Sequence, residues 1–254
     1  MTSALATDIP ERTTTTPIRA VCLDIDDTLV DYGQAARIAL ETAAGRDDAW
    51  PVWERANAHH FARLLAGEVD YETMRRDRAR TFYDDLGERL DDAGIAERES
   101  RRQFAMERSW QLYGDTLPCL DWLRAAGLRL AAVTNASGAH QRAKLAVLGL
   151  TPFFDYVAIA GELRTAKPEP VIFHTACLAL GVDPAETVHV GDRLDLDAVG
   201  ARDAGLHGVW LDRAATRTAP PSGVSVITTL AELPELLVCD LELDLAPAAP
   251  VGSR

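Results

Sequence analysis

The sequence predicts an α/β fold, a parallel sheet with helices on both faces, interrupted after its first strand by an inserted helical module. Three observations predict it. Short β-rich apolar runs recur along the chain, each separated from the next by a helix-like stretch, the alternation that builds a parallel sheet. Glycines stand where those helix-like stretches should stop. One long segment after the first run contains no convincing strand and instead repeats apolar residues at helical spacing, as in Phe61, Leu64, Leu65 and again Phe82, Leu86, Leu90.

Taken in order, strands are expected at 18–23, 128–133, 156–160, 187–190 and 208–211. Helices are expected at 117–126, 139–148, 170–180 and 196–204, closed by Gly127, Gly149, Gly181 and Gly205. The helical module spans 31–115 with 18 acidic and 13 basic residues, and the sheet core takes 18–30 and 116–237. The tails 1–17 and 238–254, Thr-rich and Pro/Ala-rich respectively, are expected to be mobile.

Composition narrows the function classes. At 254 residues the chain has ample length to bury a core around one large domain or a core plus a module. Its net charge of -13, from 39 acidic against 26 basic residues, argues against a nucleic-acid or anionic-membrane partner. No stretch approaches the roughly 18 apolar residues of a membrane span, and the polar first 17 residues lack the apolar run of a secretion signal, so a cytoplasmic enzyme is expected. Cys22, Cys119, Cys177 and Cys239 are widely spaced, mostly in apolar runs, and read as small buried hydrophobes. Oligomeric state leaves no mark in the sequence.

Four motifs sit at expected strand ends or helix starts: Asp24-Ile25-Asp26-Asp27-Thr28, Thr134-Asn135, Lys167-Pro168, and Gly191-Asp192 with Asp197 five residues on. Ligands on parallel sheets bind beyond the carboxyl ends of the strands. In extended chain Asp24 and Asp26 point to one face, and two carboxylates about 4 Å apart repel by roughly 4 kcal/mol at an effective dielectric near 20. A cation or a proton must therefore share the site. Asp192 adds an oxygen donor of the hard type that Mg²⁺ prefers, Lys167 a charge for a phosphoryl group and Thr134 a hydroxyl donor to its oxygens. Each motif alone is commonplace in turns and helix caps; their joint order, in a chain whose only lysines are Lys144 and Lys167, points to phosphate chemistry.

These motifs resemble the haloacid dehalogenase (HAD) superfamily of hydrolases, in the branch with a helical cap after the first motif. The resemblance covers about 18–237 and is strongest across GELRTAKPEPVIFHTACLALGVDPAETVHVGDRLDLDAVGARDAGLHGVWLDR, which is similar to sugar-phosphate and nucleotide phosphatases. It implies a Rossmann-like HAD core and a magnesium-dependent phosphatase acting on a small phosphate monoester through an aspartyl-phosphate. Asp24 is then the nucleophile and Asp26 the general acid and base. Thr134, Asn135 and Lys167 bind the substrate phosphate. Asp24, the Asp26 carbonyl and Asp192 hold Mg²⁺, and Asp197 touches the metal through water or holds Lys167. The sequence departs from the family pattern at Leu23, where Phe is usual, and at Arg193, where Ser is common.

The second aspartate, Asp26, argues against a dehalogenase, and a module without lysine argues against a Schiff-base phosphonate hydrolase. A phosphomutase of the same superfamily and a non-catalytic phosphate-binding protein remain the alternatives. In the module, His59-His60 reads as a partly exposed pair and Trp50, Trp53 and Trp110 as packing. Substrate contacts are expected from Asp31 and Tyr32 beside the hinge. Of Arg75, Arg76, Arg78 and Arg80, mostly a solvated face, one is expected at the cleft, with Arg76 the candidate.

Overall fold

Successive residues of the apolar runs point to opposite faces, and each face finds its own core. Val21 and Leu23 join Leu130, Ala132, Val188 and Val190 on one side; Ala20 and Cys22 join Ala131 and Val133 on the other. The strands are β1 Ala20–Leu23, β2 Arg129–Thr134, β3 Tyr156–Ile159, β4 Thr187–Gly191, β5 His207–Leu211 and β6 Val224–Ile227. In this computed structural model, which describes residues 16–241, they form one all-parallel sheet in the order β3-β2-β1-β4-β5-β6. Residues 1–15 and 242–254, which make up most of both expected tails, lie outside the described residues.

That order winds outward in two directions from β1 and β4, so the crevice of such a sheet opens between their carboxyl ends. Leu23 pairs with Val190 and with Ala132, and the Asp24 amide donates to the Val190 carbonyl at 2.9 Å. Asp24 and Asp192 therefore leave adjacent strands side by side.

Helix α5 (Thr116–Ala125) packs Leu120 and Leu123 on the first face, and the helix Pro170–Leu180 packs Ile172, Phe173 and Ala176 on the second. Gly127, Gly149, Gly181 and Gly205 all take positive φ where helices stop. Two differences from the sequence expectation bear on the sheet. β6 is an additional edge strand, only four residues long. The helix expected over 196–204 starts as a π-helical turn, Leu194–Val199, and becomes α-helical only over Gly200–Asp203. Close packing explains the second: a Cβ on Gly208 would overlap the Ala198 carbonyl, and one on Gly191 would overlap the Asp197 carboxylate. The wide turn carries Asp197 against the end of β4.

Between β1 and α5 the chain runs through α1 Tyr32–Ala44, α2 Trp50–Leu65, α3 Tyr71–Asp85 and α4 Asp92–Arg108. Three of these begin on an aspartate cap: Asp31, Asp70 and Asp91 accept from the amides of Gln34, Thr73 and Gly94 at 2.7–3.0 Å. Trp53 and Phe82 meet edge to face at 5.3 Å inside a cluster with Leu40, Tyr83 and Ile95. The chain enters and leaves this bundle along one seam, where the Asp31 amide donates to Gln111 O (2.9 Å) and the Tyr113 amide to Leu29 O (3.1 Å). Cys22, Cys119 and Cys177 are buried as expected, whereas Cys239 is exposed. Among the described residues no helix is long and apolar enough to cross a membrane.

Candidate active site

Between the sheet crevice and the bundle lies a cavity of about 260 Å³. At its base Lys167, 3% exposed, spends its three ammonium hydrogens on Asp24 Oδ1 (2.5 Å), Asp197 Oδ1 (2.6 Å) and the Val133 carbonyl (3.0 Å). Asp197 also accepts from His189 Nε2 (2.9 Å) and the Arg193 amide (3.1 Å), so its place beside Lys167 is fixed from three sides. Burial alone would lower the Lys167 ammonium, but Asp197 and Asp24 outweigh it and hold it above its ordinary value. Burial would raise Asp197; Lys167 and His189 hold it well below the usual carboxylate range instead.

Carboxylate oxygens of Asp24, Asp192 and Asp197 lie within 4.8 Å of one another. Burial, and for Asp192 the repulsion of Asp24 and Asp197, pushes Asp24 and Asp192 above the usual range. With Lys167 already shared, this trio has more negative charge than one ammonium balances. Clustered hard oxygens short of a counter-charge fit a small divalent cation such as Mg²⁺. The turn that delivers the first motif is held tightly: Asp27 adopts φ of 61° and accepts from the Gly33 amide (2.8 Å), while Thr28 Oγ1 accepts from the Asp192 amide (3.1 Å). The Trp210 indole donates to the Asp192 carbonyl (2.9 Å), bracing the opposite strand end.

Thr134, buried at the end of β2, faces the same cavity. The helix α6 (Gly138–Val147) sets two side chains behind it. Gln141 Nε2 donates to Thr134 Oγ1 (2.9 Å) and Asp26 Oδ2 (2.8 Å), and the Lys144 ammonium pairs with Asp26 Oδ1. Lys144 is fully buried, 5.4 Å from the Tyr32 ring and 5.6 Å from Trp110. Both oxygens of Asp26 are thus held, and the carboxyl is aimed before substrate arrives.

A family model described as haloacid dehalogenase-like hydrolase matches residues 18–205. The chain is 31% identical over 260 residues to the phosphoserine phosphatase of Thermus thermophilus, covering 91% of this chain and 100% of that one. The chain belongs to the haloacid dehalogenase-like hydrolases. It is also 29% identical over 241 residues to the N-acylneuraminate-9-phosphatase of Homo sapiens, covering 87% of this chain and 94% of that one. The HAD-hydrolase YfnB of Bacillus subtilis shares the fold with a TM-score of 0.75 at 22% identity, covering 87% of this chain and 99% of that one.

Within this HAD site the structure gathers Asp24, Asp26, Thr134, Lys167, Asp192, Asp197 and Tyr32 at one cavity. Of the expected positions, Asp31 and Arg76 do not line the cavity, and Asn135 has a second task. Asn135 lines the cavity, and its side-chain amide also ties the Lys167 backbone, donating one hydrogen to Lys167 O (2.8 Å) and accepting from Lys167 N (2.7 Å). Asp31 is the cap of α1 and does not line the cavity. The Arg76 side chain is 62% exposed beside Asp77, pointing away, whereas Arg75 and Arg78 of the same helix line the wall with Arg102 of α4. Gln141, Lys144 and Arg102 were not expected as site residues from the sequence, and of the α3 arginines Arg75 and Arg78 take the place expected of Arg76. Their signal is polar residues inside buried helical stripes: Arg78 lies between Met74 and Phe82 at spacings of four, and Gln141 and Lys144 share the buried side of α6 with Leu145.

Proposed function

We propose that the protein is a magnesium-dependent phosphatase that hydrolyses a small phosphate monoester through an aspartyl-phosphate on Asp24. The observation that carries this reading is Lys167 bridging Asp24 and Asp197 beside Asp192 and Thr134, a buried arrangement with both a nucleophile and a cationic seat for phosphoryl oxygens. The named phosphatases among its relatives support the same reaction class.

In this reading Asp24 Oδ attacks phosphorus in line, and the bond to the leaving oxygen breaks as Asp26 passes it a proton. Water then attacks the phosphoryl group on Asp24 while Asp26 takes back a proton, freeing phosphate and regenerating the carboxylate. Lys144 and Gln141 keep Asp26 aimed at the leaving oxygen through both steps. Thr134 donates to a non-bridging oxygen, and the Lys167 charge beside Asp24 offsets the charge of the phosphoryl oxygens. Asp24 and Asp192, with the Asp26 carbonyl, would hold Mg²⁺, which when bound offsets their charge and that of the phosphoryl oxygens. Asp197 fixes Lys167. The helical module over 31–115 acts as a cap on the core of 18–30 and 116–237, excluding bulk water and reading the leaving group.

The test is turnover of an alkyl phosphate and of p-nitrophenyl phosphate by purified protein. Activity is expected with Mg²⁺, is lost in EDTA, and returns when Mg²⁺ is restored, while circular dichroism stays native throughout. Undiminished activity in exhaustively chelated protein would overturn the metal assignment, and absence of turnover with Mg²⁺ would favour a non-catalytic phosphate binder.

A further inference from the structure

The cavity has two electrostatic ends. At the sheet end five aspartates face Lys144 and Lys167. At the cap end the sign reverses, and the wall presents Arg75, Arg78 and Arg102 among neutral neighbours such as Asn57, Tyr71 and Gln103. These three guanidiniums converge on one carboxylate, Glu99, which does not itself line the cavity. Arg102 takes it bidentately at 2.7 Å through Nε and Nη2, leaving Arg78 and Arg75 at 3.5 and 3.4 Å. Arg75 has a second acid, Glu72, at 3.6 Å, but that side chain is 79% exposed and screened by solvent.

Arg78 and Arg102 are 5% and 6% exposed, and each keeps one guanidinium nitrogen, Nε and Nη1 respectively, without a hydrogen-bond partner. Trp53 lies 4.3 and 4.7 Å from the two groups and offers a ring face, not an acceptor. Burial and the neighbouring Arg102 charge also hold Arg78 below its ordinary value. Buried cations are retained where they are paired. Here three cations share one buried anion on the wall of the substrate cavity, so the balancing charge must come from what enters.

We infer that the substrate's leaving group carries a second anionic oxygen group, a carboxylate or a second phosphate, received by the Arg75–Arg78–Arg102 wall while the scissile phosphate lies at the sheet end. This rests on the phosphatase reading and names the substrate class within it: phosphate monoesters of acidic alcohols. Planar guanidinium forks suit both carboxylate and phosphate, so the two sources are separated by experiment.

The test compares kcat/KM, with Mg²⁺, for matched esters: 3-phosphoglycerate against glycerol 3-phosphate for the carboxylate, and propane-1,3-diol bisphosphate against 3-hydroxypropyl phosphate for the second phosphate. p-Nitrophenyl phosphate serves as a generic ester. At least one acidic member is expected to exceed its neutral partner by about tenfold or more, the worth of a charge-assisted hydrogen bond. Arg75→Gln, at a partly exposed position, and Arg78→Gln, with folding followed by circular dichroism, should each shrink that ratio by about fivefold or more. Acidic and neutral esters handled within about threefold of each other, by an enzyme that turns over p-nitrophenyl phosphate, would overturn the inference and leave the phosphatase reading standing. A preference unchanged in both folded variants would overturn its assignment to this wall. No turnover of any ester would overturn the phosphatase reading and this inference together.

Discussion

Asp24→Asn should lower phosphatase turnover by about 10⁴-fold or more while leaving the fold intact. The amide has the shape of the carboxyl but is neutral, and its delocalised oxygen is too weak a nucleophile to start the covalent step. Stability should move little because two effects oppose: the change weakens an attraction to Lys167, and it removes a charge that repels Asp192 and Asp197. Lys167 keeps Asp197 and the Val133 carbonyl as acceptors. Steady-state rates on an alkyl phosphate and a melting curve decide it; residual magnesium-dependent activity above about 1% of wild type would remove Asp24 from the nucleophile's role.

Lys167→Met should produce the largest stability loss, about 3–5 kcal/mol in the metal-free protein at pH 7, together with loss of turnover. The substitution leaves Asp24 and Asp197 buried without their shared cation. The pH dependence has a defined sign. Asp197 is depressed in the folded state, so its stabilisation is present above the ordinary carboxylate value and lost as pH falls through the lower folded value. Lys167 is raised, so its share is present below the ordinary lysine value and lost as pH rises through the higher folded one. The gap between wild type and variant should therefore be widest between about pH 4 and 10 and close on either side. Urea titrations at pH 7 and below pH 4 measure it; equal midpoints at pH 7 would contradict the buried triad as the source of stability.

The strand-end residues of the site were legible because each follows a short apolar run, and in a doubly wound sheet such runs deliver their last residues to one edge. Asp24, Thr134 and Asp192 needed nothing more. The partners that aim them were not legible. Lys144 meets Asp26 across 118 residues of sequence, so its place on the buried stripe of Leu145 could mark it as inward but could not name its partner. Asn135 shows the same limit, since nothing local to Thr134-Asn135 signals that its amide also ties the Lys167 loop 32 residues away. On α3 the stripe of Met74 and Phe82 fixes the inward face of the helix, and Arg78 rather than Arg76 falls on it. β6 escaped notice because four residues, Val224–Ile227, beyond a Pro-rich turn give too short a run to separate from loop.

In the proposed reaction the phosphoryl group passes through Asp24 on its way to water, and the configuration at phosphorus reports this whether or not the intermediate accumulates. Each in-line displacement inverts the centre, so two in succession restore it. Hydrolysis of a phosphorothioate monoester made chiral with oxygen isotopes, in water carrying the third isotope, should give inorganic thiophosphate with net retention. Net inversion would mean that water attacks the substrate directly, and would contradict an aspartyl-phosphate on Asp24.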